Sequence, residues 1–182
     1  MKTIDRIVEP VSLRDADPEQ RAVLDDLRKQ WSKVPMSFAF MAAQPDALKA
    51  FSAFSRSVIY DCPLDPKLRE IVYLRTAMLA GCKLCVANHT AEARKEGASE
   101  RQIAELDRAA DSDAFTALEK DAIRYAEHVA GKPGRTPEDL LARLRDGLGN
   151  DGVIALTQVI GLANLFSRFN NALHTYDEAD YA

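Results

Sequence analysis

The sequence predicts an all-α protein built as a single-domain helical bundle, and three observations carry that expectation. Helix starts in which a capping side chain precedes proline recur at Asp17-Pro18, Asp65-Pro66 and Thr136-Pro137. Between these starts and the next break, apolar residues recur at helical spacing. No run alternates apolar and polar residues with period two for long enough to make a strand.

Taken in order, residues 1–17 show no clear period, and Asp17 opens a helix expected to reach about Lys33. Val34-Pro35 interrupts, and Met36, Phe38, Phe40 and Met41 form a short apolar segment. From Pro45 to Tyr60 the residues Leu48, Phe51, Phe54 and Val58 fall on a helical stripe, which Asp61-Cys62-Pro63 closes. Asp65-Pro66 starts the next helix, running to Ala80. Gly81 is the expected break, because glycine weakens a helix interior by roughly 0.8–1 kcal/mol relative to alanine and tolerates the backbone of a turn. A further helix then runs from near Cys82 to Glu96, with Gly97 at the position just past its end. Ser99-x-x-Gln102 is a capping box expected to open a helix through Ala110. Ser112 is expected to open another that ends near Gly131, followed by a turn at Lys132-Pro133-Gly134. Thr136-Pro137-Glu138-Asp139 starts a helix through about Gly147, with its acidic residues where the helix dipole favours them. The last helix begins near Asn150 or Asp151 and is expected to reach Tyr176. Its apolar residues are spread nearly all round, as in a helix central to a core or an oligomer interface.

Residues 1–182 fit one domain, since a single core grows to this size without splitting. The chain is 47% apolar and 29% charged, with a formal net charge of -4. That field repels nucleic acid and anionic membrane, so neither is an expected partner. The tract from Val153 to Phe166 holds Thr157, Gln158 and Asn164, too short and too polar for a membrane span. The start, MKTIDRIVEP, lacks the pattern of a signal peptide, and the expected location is cytoplasmic.

Chemistry concentrates in Gly81-Cys82-Lys83-Leu84-Cys85-Val86-Ala87-Asn88-His89, with Glu70 twelve residues before Cys82. On a helix, Cys82, Cys85 and His89 project within a ~60° arc of one another. A C-x-x-C in such a protein suggests redox chemistry. The reactive species is the thiolate, so the site must lower an ordinary thiol pKa. A helix starting near Cys82 offers its positive end and free amides, and His89 lies one turn past Cys85. The dipole favours Cys82 as the more acidic thiol, whereas the imidazole favours Cys85. Glu70 can orient His89 and accept its proton. In one straight helix Glu70 would sit ~18 Å along the axis from Cys82. The proposal therefore requires the chain to fold back near Gly81, or a Glu70 supplied by another subunit.

Two other readings compete. Two thiolates with His89 and Glu70 would suit a tetrahedral zinc site, although no second C-x-x-C exists. A structural module with two buried cysteines and a satisfied histidine is the other. Elsewhere the chain offers little: Cys62 sits in a turn and is expected to have no chemical role, His128 reads as a favourable charge near a helix end, and His174 follows an apolar run. Gly131-Lys132-Pro133-Gly134 lacks the pattern of a phosphate-binding loop.

With Glu70, Cys82-Lys83-Leu84-Cys85 and His89 in place, the chain resembles the alkyl hydroperoxidase D-like branch of the carboxymuconolactone decarboxylase superfamily. The likeness extends to residues 64–72, to 89–97 and to Asn164-Leu165-Phe166-Ser167-Arg168-Phe169-Asn170. It covers a core of 34–173 and leaves 1–33 as an N-terminal extension. The resemblance implies an all-helical fold assembled as a homo-trimer or homo-hexamer. It implies a thiol-dependent peroxidase that needs no haem, flavin or metal cofactor, acting on a hydroperoxide and restored by a thiol, lipoyl-type or thioredoxin-like reductant. It also implies roles: Cys85 attacks the peroxide, Cys82 resolves the product as a disulfide, and His89 and Glu70 relay the proton. Leu84 stands where a well-studied form of the family has a histidine. The cysteine pair disfavours lactone decarboxylation. A disulfide reductase acting on a protein or lipoyl partner is the alternative enzyme, and a zinc-stabilised or structural oligomerisation module the alternative outside catalysis.

Overall fold

The computed structural model describes residues 7–31, 33–131 and 134–176. Among these the chain forms α-helices and one 3-10 helix, with no strand. The helices are α1 (Pro18–Trp31), α2 (Met36–Met41), α3 (Pro45–Tyr60), α4 (Pro66–Leu79), α5 (Lys83–Lys95), α6 (Glu100–Ala104), α7 (Ala117–Ala130) and α8 (Glu138–Leu173), with the 3-10 helix at Leu106–Asp111 between α6 and α7. Local chemistry sets the starts. Asp17 accepts from the Gln20 amide at 2.8 Å, and Asp65 from the Leu68 amide at 3.0 Å, each satisfying an amide that a helix leaves without a partner.

The main core lies between α4, α7 and α8, where Val72, Ala126, Leu144, Leu156, Val159 and Ile160 are buried together. Each such aliphatic side chain contributes on the order of 1.5–3 kcal/mol by leaving water. A second cluster, built on Ile71, Leu74, Leu106 and Ile123, joins the other side of α4 to α7 and the 3-10 helix. A third packs Val23, Leu24 and Leu27 of α1 on Phe38 and Leu48, with Phe166 of α8 against it. Helix α4 is therefore buried on two sides, and Glu70 is carried on this enclosed element. The apolar window of α8 is long enough, by length and composition, to cross a membrane. In this fold 44% of that window is buried, with Leu156, Val159, Ile160, Leu162 and Ala163 in the main core. Ile154 and Leu165 remain exposed on it.

Several expected boundaries move. Helix α1 ends at Trp31 rather than Lys33, and Pro35 holds extended dihedrals as the cap of α2, the short apolar segment that proves helical. The capping box at Ser99 forms, yet α6 stops at Ala104 instead of Ala110. Leu106 and Ala109 turn into the second cluster through 3-10 geometry, with Arg108 off helical dihedrals. Ser112 opens no helix, because its hydroxyl donates to Glu105 at 2.5 Å and accepts from the Ala114 amide. Thr116 caps α7 instead, in a full capping box with Glu119. The two helices expected after Thr136 are both present within α8 and meet at a kink at Gly149, whose φ of 71° is the left-handed region glycine tolerates. That helix ends at Leu173 rather than Tyr176, with His174 left-handed at φ 50°. The expected turn at Lys132-Pro133-Gly134 lies, in its first two residues, outside the described residues.

Gly81 makes the reversal on which the site depends. It sits just past the end of α4 at φ 67°, donates to Met78 O at 3.1 Å, and is followed by Cys82, whose amide donates to Ala77 O at 3.1 Å. This paired closure satisfies the last carbonyls of α4 and sends α5 back along it.

Candidate functional site

Folding back at Gly81 brings Glu70 to His89 within one chain, so no second subunit is needed for that contact. Glu70 is 2% exposed on α4, and its Oε2 lies 2.7 Å from His89 Nδ1 on α5. Its Oε1 accepts from Arg69 Nε at 3.0 Å, and Arg69 is itself held by the Ile59 carbonyl at 2.7 Å. Burial pushes the Glu70 carboxyl up. The hydrogen bonds and charges of His89 and Arg69 outweigh it and hold the group below its ordinary value. An ionised carboxylate only accepts, so His89 Nδ1 carries a proton toward Glu70, and Nε2 is the ring nitrogen left outside that bond.

Tyr73 fixes the plane of that imidazole. One turn along α4 from Glu70, its ring stacks on His89 with centroids 3.5 Å apart and planes 15° from parallel. Burial and the neighbouring Glu70 push its phenol well above the ordinary tyrosine range. Tyr73 therefore stays neutral at any physiological pH and supports His89 by packing.

Cys82 and Cys85 are joined as a disulfide with Cα atoms 5.3 Å apart. Here the sequence expectation needs correction. Cys82 is not on the helix face but is its N-cap, with extended dihedrals, and its Sγ accepts from the Cys85 amide at 3.2 Å. The cap still brings the two sulfurs together. Cys85, in the first turn of α5, shares a face with His89 four residues on. Both sulfurs are buried: Cys82 is 0% and Cys85 5% exposed, in a cluster with Ala77 and Tyr176 against which Leu84 and Val86 pack. Leu84 thus contributes apolar cover to the pair.

Sequence reasoning missed the contribution of the C-terminal end of α8. Asn170 Nδ2 donates to Cys85 Sγ at 3.4 Å, and Thr175 Oγ1 donates to Asn170 Oδ1 at 2.7 Å. Asn171 donates to the Ala80 carbonyl at the Gly81 turn and accepts from the Tyr176 hydroxyl. The signal available was two adjacent amides, Asn170-Asn171, near the end of α8.

The other candidates lie apart from this constellation. Cys62 is a free, half-buried thiol packed on the main core. His128 stands in the last turn of α7, and its Nε2 is buried without a hydrogen-bond partner among the described residues. Among the described residues, no group of three or more His, Cys, Asp or Glu side chains is arranged to hold a metal ion.

A model of the carboxymuconolactone decarboxylase family matches residues 45–128, the span that holds Glu70, both cysteines and His89. The uncharacterized protein YdfG of Bacillus subtilis strain 168 is 30% identical over 106 residues, which are 58% of this chain and 72% of that protein. The chain belongs to the carboxymuconolactone decarboxylase family. Two solved structures show how widely this family's fold is used. The alkylhydroperoxidase AhpD core of an uncharacterized peroxidase-related protein from Ralstonia eutropha JMP134 superposes with a TM-score of 0.77 at 19% identity, covering 96% of this chain and 93% of its own. The debrominase Bmp8 gives 0.77 at 18% identity, covering 95% and 92%. At such identities the likeness is one of fold, and one fold carries more than one reaction. Which reaction a carboxymuconolactone decarboxylase family member performs must be argued from its site.

Proposed function

We propose that this protein is a thiol-dependent peroxidase in which Cys85 attacks a hydroperoxide, Cys82 resolves, His89 moves the proton and Glu70 orients His89. One observation carries the reading. Glu70 on buried α4 lies 2.7 Å from His89, which shares its face of α5 with Cys85, one sulfur of a disulfide-bonded C-x-x-C.

In the first step the Cys85 thiolate attacks the outer peroxide oxygen. An S–O bond forms, the O–O bond breaks, and His89 Nε2, which took the Cys85 thiol proton as the thiolate formed, passes it to the leaving alkoxide, giving an alcohol and a sulfenic acid on Cys85. Cys82 then attacks Cys85 Sγ, the S–O bond breaks, and water leaves with the Cys82 proton. The product is the disulfide seen here, which a dithiol must reopen. Because the pair is buried under Leu84 and Tyr176, a slender reductant such as a lipoyl-type dithiol fits the access better than a broad protein surface. Exposed Phe54, Tyr60, Ile154 and Leu165 support assembly as a homo-trimer or homo-hexamer, which sedimentation equilibrium reads directly.

The test is to add one equivalent of cumene hydroperoxide to the reduced protein, without bulk reductant, and count thiols. Loss of the Cys82 and Cys85 thiols is expected, and retention of both overturns the reading. A disulfide reductase acting on a protein or lipoyl partner is the second reading, supported by the same disulfide. Turnover of a small disulfide with negligible turnover of peroxide would favour it. Zinc-binding stoichiometry on chelator-free protein tests the structural module.

A further inference from the structure

We propose that Asn170 is a catalytic residue of this thiol site, a hydrogen-bond donor that holds Cys85 as the thiolate, and that Thr175 is the positioning residue that aims it. The proposal rests on the thiol reading above and adds a residue that lies outside the Glu-Cys-Cys-His motif.

Three observations lead there. Asn170 reaches Cys85 across 85 residues of sequence, and its side-chain amide, on a residue 3% exposed, lies 3.4 Å from the sulfur. The amide turns Nδ2, with its two protons, to Cys85, while its Oδ1 accepts from the Thr175 hydroxyl at 2.7 Å, so Thr175 holds the amide from behind. Thr175 can do this because the chain reverses at left-handed His174 and the Thr175 amide bonds back to the Asn170 carbonyl at 3.1 Å. The whole turn is thus built around one amide.

The chemistry needs such a donor at this sulfur. Cys85 is enclosed by Ala77, Leu84, Val86 and Tyr176, and an apolar enclosure raises a thiol pKa because the charged form loses its water. The α5 cap meanwhile directs a backbone amide to Cys82, the resolving sulfur. A donor aimed at Cys85 reverses that bias. It is already in place before charge develops, so no reorganisation accompanies thiolate formation. The same donor faces the sulfur through the sulfenic acid step, where the electron pair that forms the S–O bond comes from Cys85.

The test uses the full chain carrying Cys62→Ser and Cys82→Ser, so that Cys85 is the remaining thiol. The rate of iodoacetamide alkylation is followed against pH by intact mass. Asn170→Asp keeps the shape and the Thr175 contact but replaces the donor by an acceptor, and Asn170→Ala removes it. A hydrogen bond to a charged group is strong enough to move the midpoint upward by about one pH unit in Asn170→Ala, and by more in Asn170→Asp. Thr175→Val, nearly isosteric, is expected to move it in the same direction by less. Unmoved midpoints in folded Asn170 variants overturn the proposal, and should those variants not fold, an unmoved midpoint in Thr175→Val does so. A merely structural role would lower stability and leave the midpoint in place. No peroxide enters the assay, which keeps the two readings separable. A shifted midpoint in a protein inert to hydroperoxide retires the peroxidase reading and keeps Asn170. An unmoved midpoint in a protein that consumes hydroperoxide does the reverse.

Discussion

Glu70 and Glu119 are both buried carboxylates, 2% and 6% exposed, and both are held below the ordinary carboxylate value. They nevertheless belong to different kinds of chemistry. Glu119 closes the capping box of α7 on the Thr116 amide at 2.8 Å, takes Lys67 Nζ of α4 at 2.8 Å, and receives Gln102 of α6 at 3.4 Å. Its partners are a backbone amide, a lysine and a side-chain amide, none of a class whose ordinary pKa lies near neutrality. Glu70 shares its charge between Arg69 and an imidazole, the side-chain class whose ordinary pKa lies near neutrality. Burial of a carboxylate is therefore no mark of a site by itself. What the second partner can do with a proton decides.

Substituting each glutamate puts that difference to its hardest use. Glu70→Gln is expected to lower kcat/KM for cumene hydroperoxide by about 100-fold or more, the scale of a lost general acid–base relay. Glu119→Gln should leave kcat/KM within a small factor of the parent, because it touches neither sulfur nor imidazole. Its effect belongs to urea unfolding, where the loss of a buried charge-assisted hydrogen-bond set costs about 1–3 kcal/mol. Equal losses of turnover in the two variants would break the comparison and make both glutamates structural.

Acid stability is the property in which the two should agree. Each folded carboxyl is depressed, so between the folded value and the ordinary value of 4.5 the unfolded chain binds more protons. Each contribution is complete above about pH 4.5 and is lost as pH falls through the folded value. Urea midpoints measured from pH 6 down to 3 should fall in the parent, and less steeply in either Gln variant. A parallel fall in all three would show that neither carboxylate is depressed by its partners.

Much of this was readable from residue types and spacing, because the interactions concerned are local. Asp65-Pro66, Gly81, and the C-x-x-C followed by His89 each specify their own backbone within a few residues, and so they place Glu70 opposite His89 once the chain reverses. The failures share a different cause. Ser112 and Thr116 both have the chemistry of a cap, and Glu105, drawn to Ser112 by packing, decides between them. The 3-10 helix arises because Leu106 and Ala109 must reach a cluster contributed largely by α4 and α7. Asn170, with Thr175 behind it, meets Cys85 only through the docking of α8 on the α4–α5 hairpin. No local pattern announces a contact of that kind. The C-x-x-C alone leaves both sulfurs equivalent as nucleophiles, and it is tertiary structure that surrounds them differently.

The smallest expected effect isolates what makes Glu70 useful, namely a fixed imidazole. Tyr73 stacks on His89 but, its phenol held protonated by burial, does not give up its proton. Tyr73→Phe keeps the ring and loses the hydroxyl, so turnover and its pH profile should stay within a small factor of the parent. Tyr73→Leu removes the stack, worth about 0.5–1.5 kcal/mol, and frees the ring of His89 to turn away from the line set by Glu70. A loss of up to about tenfold in kcat is expected, with KM little changed, since the residue acts on the proton relay rather than on substrate binding. Stopped-flow oxidation of the reduced protein measures this directly. A large loss in Tyr73→Phe would instead make the phenol a member of the relay and undo the assignment of Tyr73 to packing.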